Sequence, residues 1–265
     1  MRCKAGMLGA NREIPWDLST ASYKQSLSVN AQSADPTGIA FKPDGTKLYF
    51  STWLGGFGVE GVYEYTVASP WDVSTATFLQ VKTRSSARGV VFKPDGTRMF
   101  LATSNDVVEE FSLSVAWDIS TATFVRSLDV SGHSPGLYSV QFKPDGTQMY
   151  LADNVGDDIH EYSLSAAWNI STASYVQSFS VAAQDPIPQG VAFKPDGKEM
   201  YVCGRSNSRI YQYQLATAWD VSTATYIQNA ETFDGQSANI AFKPDGTKFY
   251  VAGNATAAIL EHEIT

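Results

Sequence analysis

The chain has 265 residues, 43% of them hydrophobic, and a formal charge of -8. That charge argues against a nucleic-acid or anionic-membrane partner, because a polyanion would be repelled over most of the surface. The two cysteines, Cys3 and Cys203, supply no disulfide framework, no apolar stretch approaches the roughly 18 residues of a membrane span, and residues 1–16 lack the apolar segment of a signal peptide.

The first recognisable element is a link, "WDLSTASY" from Trp16, which runs into a predicted strand over residues 20–30. Then come the strand "TGIAF" ending at Phe41, the turn "KPDGT", and the strands "KLYFST" and "GVYEYTV". All are rich in β-branched and aromatic residues, and no helical period competes. In the turn, Pro43 presets φ, Asp44 can bond its own backbone, and Gly45 can take the left-handed conformation that closes a hairpin. The order then recurs. Phe41, Phe92, Phe142, Phe193 and Phe242 head five copies of the turn, spaced roughly 50 residues apart, and Trp16, Trp71, Trp117, Trp168 and Trp219 head five copies of the link.

Four short strands per repeat, arrayed around an axis, predict an all-β fold, a five-bladed β-propeller with four antiparallel strands per blade. Nothing before Trp16 reads as a first, second or third strand, whereas the chain after Phe242 supplies three strands and stops at Thr265. The N-terminal strand is therefore expected to complete the last blade and close a single domain over 1–265, with residues 1–15 as an extension.

"DPTGIAFKPDGTKLYF" resembles the repeats of YVTN and lactonase-like bacterial propellers, and the "WDxST" link is similar to repeats in environmental bacterial and phage proteins. The resemblance covers nearly the whole chain and implies the blade. It does not choose an activity, since such propellers include sugar binders, lactone hydrolases, glycosidases and scaffolds.

The repeated acids read as structural. Asn169 stands where other links have Asp17, Asp72, Asp118 and Asp220, so the position keeps an acceptor without needing charge, as a cap of the following amides requires. The five link tryptophans read as wedges between blades.

Function is expected where the repeats differ. The turns and links should share one face, leaving the variable loops on the other. Four positions before each Phe stand Thr37, Arg88, Tyr138, Gln189 and Ala238, followed by Gly38, Gly89, Ser139, Gly190 and Asn239, small enough for close approach near the axis. Gln141 interrupts the row Ala40, Val91, Ala192 and Ala241 as a lone polar group in the channel. The loop "TWLGGFGVEG" is longer than its equivalents and offers Trp53 and Phe57 for stacking; the shortened crossover after it carries Lys82, Arg84 and Arg88. Asp153, Asp157 and Asp158 form an acidic loop that could hold calcium through oxygen ligands, although the spacing fits no EF-hand. His133, in "SGHSPG", lies on the variable face.

The leading expectation is a monomeric propeller binding a glycan or other small molecule in one asymmetric pocket built from Trp53, Phe57, Arg84, Arg88, His133, Tyr138, Gln189, Arg205 and Asn239. Alternatives are a hydrolase of an ester, lactone or glycoside with an axial site, where Asp35, Asp153 or Asp185 would have to swing inward, and a structural or adhesive module of a larger extracellular or virion protein. No nucleic-acid or membrane partner is expected.

Overall fold

The computed structural model describes residues 15–53 and 58–265. Five four-stranded antiparallel sheets surround an axis, and no α-helix occurs among the described residues. The innermost strands are Pro36–Phe41, Ala87–Phe92, Leu137–Phe142, Pro188–Phe193 and Ser237–Phe242. The ring closes through Ala21–Ser28, which lies antiparallel to Ala258–Ile264 in a register from Ala21 opposite Ile264 to Ser28 opposite Ala258.

The small residues after the rim positions are required by that geometry. A Cβ on Gly190 would sit 2.8 Å from the Cα of Asn239 in the next blade, and one on Gly89 would sit 2.9 Å from the Cα of Ser139. At Gly89 and Gly190 the next inner strand approaches too closely for a side chain.

Each link folds the same way. The Asp or Asn caps a short 3₁₀ turn; Asp72 accepts from the Ser74 amide at 3.0 Å, and Asn169 does the same for Ser171 at 3.2 Å. The cap is also bonded from the neighbouring blade, by Gln25 to Asp72, Gln80 to Asp118, Gln177 to Asp220 and Gln228 to Asp17. Where the cap is Asn169, the partner is Arg126.

The tryptophans are held in the left-handed region, with φ from 63° at Trp168 to 74° at Trp16. Such φ is costly for a bulky residue, so the surroundings must impose it. Trp71 donates its amide to Gly45 at 3.2 Å and packs its indole on that glycine, which has φ +73°. Its ring centroid lies 5.0 Å from Phe41 of its own blade and 6.1 Å from Tyr250 of the neighbouring blade. The indole thus bridges two blades, as the sequence predicts.

One repeated feature escapes the reading of single motifs. The third strands carry Glu64, Glu110, Glu161, Gln212 and Glu261 among their apolar residues, and all are buried. Four of them reach into the next link: Glu64 accepts from the Ile119 amide at 3.2 Å, Glu161 from Val221 at 3.3 Å, Gln212 from Leu18 at 3.5 Å and Glu261 from Val73 at 3.1 Å. Lys47 pairs with Glu64 and Lys248 with Glu261, while Glu110 is neutralised by Arg98 and Arg126. These carboxylates fasten blade to blade and lie away from solvent.

Candidate functional site: the two ends of the axis

Because each inner strand runs toward its Lys-Pro-Asp-Gly turn, the turns and links occupy one face and the variable crossovers the other, as expected. The two mouths of the axis differ in chemistry.

At the turn face the axis opens into a cavity of about 300 Å³. Its wall is the repeat itself: Phe41, Phe92, Phe193 and Phe242, with the turn prolines behind them and Gln141 as the interruption. The expectation of a polar group in the channel is met at Gln141.

At the loop face three side chains meet. Trp53 from the first blade, Arg88 from the second and Tyr138 from the third stack there, with the Arg88 guanidinium 4.2 Å from the Trp53 ring centroid and 5.1 Å from that of Tyr138. Arg88 also donates from Nη1 to the Leu137 carbonyl at 2.8 Å. Burial works against its charge, and the two π faces replace part of the lost hydration. Tyr138 is 2% exposed, and its hydroxyl is pushed up to about 12 by burial and by Asp35, against the opposing fields of Arg88 and Arg205. The Asp35 carboxyl is raised by its own burial, with Arg205 pulling the other way.

On the inner strand next to that of Tyr138, Gln189 is fully buried, and neither its Oε1 nor its Nε2 has a hydrogen-bond partner among the described residues. Arg88 Nε is likewise unpaired among the described residues. Buried amides are normally satisfied, so unsatisfied ones at the end of an axis call for an explanation.

The structure therefore assembles Trp53, Arg88 and Tyr138, with Gln189 beside them and Arg205 and Asp35 within electrostatic reach. It does not bring in the others. Arg84 is bound to Glu109, with Nε to Oε2 at 2.6 Å, and His133 stacks at 3.8 Å on Tyr175, a residue of an outer strand. The Asn239 side chain accepts from the Ile240 amide at 2.8 Å, an intrastrand role. Phe57 lies outside the described residues. Arg205 is exposed and donates to Gln236 at 2.6 Å.

The calcium expectation gains no support: the described residues contain no group of three His, Cys, Asp or Glu placed to hold a metal. Asp153 is instead spent on its own loop. It accepts from the Val155 amide at 2.9 Å and faces His160 Nε2 at 3.3 Å; burial opposes its charge, yet His160 and the Val155 and Gly156 amides hold its carboxyl below the usual range. The last blade shows the same device from a different chain position. There Asp234, in the crossover, accepts from the Ala255 and Thr256 amides at 3.3 and 3.0 Å, and a Cβ on Gly253 would collide with it. In these two loops one carboxylate is the brace, supplied from either side. Asp185 follows the crossover pattern, accepting from Ile187 and Ser206, so it does not swing inward.

No family model matches the chain, and neither does any curated protein. Solved structures of similar shape include a protein assigned as a 6-phosphogluconolactonase from Bacteroides uniformis, 16% identical with TM-score 0.53, covering 83% of this chain and 64% of that one. A periplasmic gluconolactonase from Pseudomonas aeruginosa is 17% identical with TM-score 0.52, again covering 83% and 64%. The β-propeller domain of Cps50 from Myceliophthora thermophila is 11% identical with TM-score 0.52, covering 92% and 100%. Such identities show a shared fold. This chain spans 64% of the length of the two lactonase-like proteins.

Proposed function

We propose that the loop-face mouth of the axis is the working site, that it takes a small oxygen-rich, sugar-derived molecule, and that it hydrolyses a lactone or ester of that molecule. The observation that carries the reading is the meeting of Arg88 and Tyr138 from neighbouring inner strands, with the buried Gln189 amide, unpaired among the described residues, on the next strand and Asp35 and Arg205 within electrostatic reach. A guanidinium and an amide suit carbonyl and hydroxyl oxygens, and aromatic faces suit a sugar ring.

In this reading Arg88 stabilises the oxyanion that forms at the ester carbonyl, and Asp35 accepts a proton from the attacking water. A carboxyl raised by burial is better matched to that task near neutral pH than an exposed one. The likeness of fold to two proteins named as lactonases favours this chemistry over glycoside cleavage, and the rim row Thr37, Arg88, Tyr138, Gln189 and Ala238 offers no acid pair.

A second reading, carbohydrate binding without turnover, is favoured by the burial of Tyr138 and Gln189, which keeps bulk water from them. Titrating acid released from D-glucono-δ-lactone, with and without chelator, separates the two. Release above the uncatalysed rate that is lost in Arg88→Met supports hydrolysis. Binding of D-gluconate without release supports the second reading. Absence of both refutes the site.

A further inference from the structure

We infer that the turn-face mouth of the axis is a second ligand site, shaped for a flat, uncharged apolar molecule that carries one hydrogen-bonding group. The cavity there holds about 300 Å³, enough for a two-ring aromatic, and its wall is aromatic on four sides through Phe41, Phe92, Phe193 and Phe242. Rings in that position offer faces and edges to a planar guest.

Charge at this mouth is balanced. Each turn pairs its own lysine and aspartate: Lys42 with Asp44 at 2.7 Å, Lys93 with Asp95 at 2.7 Å, and Lys243 with Asp245 at 2.6 Å. Lys143–Asp145 and Lys194–Asp196 repeat the arrangement. A ring of internally neutral turns exerts little net attraction on an ion, so a neutral guest is favoured.

Gln141 supplies the polarity. The equivalent residues are Ala40, Val91, Ala192 and Ala241, so four blades offer hydrocarbon and one offers an amide. Other glutamines of the third blade are tied to Glu161, Gln148 at 2.7 Å and Gln177 at 2.9 Å; Gln141 has no such tie among the described residues. Strand pairing alone does not require it, since Val91 serves the same place in the preceding blade. Its amide fixes the orientation of a guest that the aromatic wall would otherwise hold in any of several equivalent poses.

Naphthalene and 2-naphthol differ by one hydroxyl and serve as probes, with affinities taken from fluorescence titration. The wild type should bind both, with 2-naphthol favoured about five-fold, the worth of one neutral hydrogen bond. Gln141→Val, which copies Val91, should keep naphthalene affinity and erase the preference. Ala241→Phe should fill the mouth and weaken both probes at least ten-fold while the melting temperature confirms folding. The proposal is overturned if neither probe binds saturably, if the preference survives Gln141→Val, or if a folded Ala241→Phe binds as the wild type does.

Discussion

The hydroxyl of Tyr250 donates to the carbonyl oxygen of Trp71 at 2.6 Å, joining the last blade to the link of the first. Tyr49, Tyr150 and Tyr201 do the same for Trp117, Trp219 and Trp16, whereas Phe100 lies against Trp168 with no hydroxyl to offer. The bond therefore adds to a contact that the aromatic ring already makes. Tyr250→Phe should destabilise by about 1 kcal/mol, because the Trp71 carbonyl retains Lys248 Nζ at 3.3 Å. Urea unfolding measures this, and a loss above about 3 kcal/mol would mean that the hydroxyl, not the ring, holds the joint.

Glu261 binds the same joint from inside the sheet, accepting from the Val73 amide and from Gln25 and Lys248. Glu261→Ala leaves the buried Val73 amide without its acceptor and the Lys248 ammonium without its carboxylate, and should cost about 3 to 5 kcal/mol. Glu261→Gln keeps an acceptor, as Gln212 does in the fourth blade, and should cost about 1 kcal/mol. Equal losses from the two substitutions would contradict a role as acceptor.

His262 introduces a pH dependence. It occupies the third-strand position held elsewhere by Tyr65, Phe111, Tyr162 and Tyr213, fully buried and stacked 4.4 Å from Phe249. Burial lowers its pKa from 6.5 to about 4. Between those values the unfolded chain takes up a proton that the folded chain refuses, so stability present above pH 6.5 is lost as the pH falls toward 4. The loss should reach about 3 kcal/mol. His262→Phe should flatten this part of the profile in urea unfolding between pH 7 and 4. Asp44 and Asp95, whose carboxyls Lys42, Thr46, Lys93 and Thr97 hold at about 2 against the opposing effect of burial, titrate below that window. An unchanged slope in His262→Phe would assign the dependence to other groups.

The blade was legible because the chain states its turn and its link five times, and the closure because the N-terminal strand fits the vacancy left by the last three. The residues fastening the links were just as visible, as three glutamates and a glutamine in "YEY", "HEY", "LEH" and "YQY", but their meaning depends on which blade lies opposite, and that is a tertiary fact. The same reason hid the loop brace: Asp153 and Asp234 sit at different sequence positions and do one job, so an acidic loop read alone suggested calcium. The rim was only half readable. Its five different side chains were identifiable by alignment, yet nothing in the sequence says that the Arg88 guanidinium reaches both the Trp53 and Tyr138 rings, while the regular face holds a cavity.

Calorimetric titration of D-gluconate into the wild type and Arg88→Met tests the proposal that the Arg88 end of the axis takes the ligand. The account predicts saturable binding in the wild type and at least ten-fold weaker binding in the variant, since one partner of a charge-assisted contact is removed. No binding by the wild type, or equal affinity in a folded Arg88→Met, would contradict it.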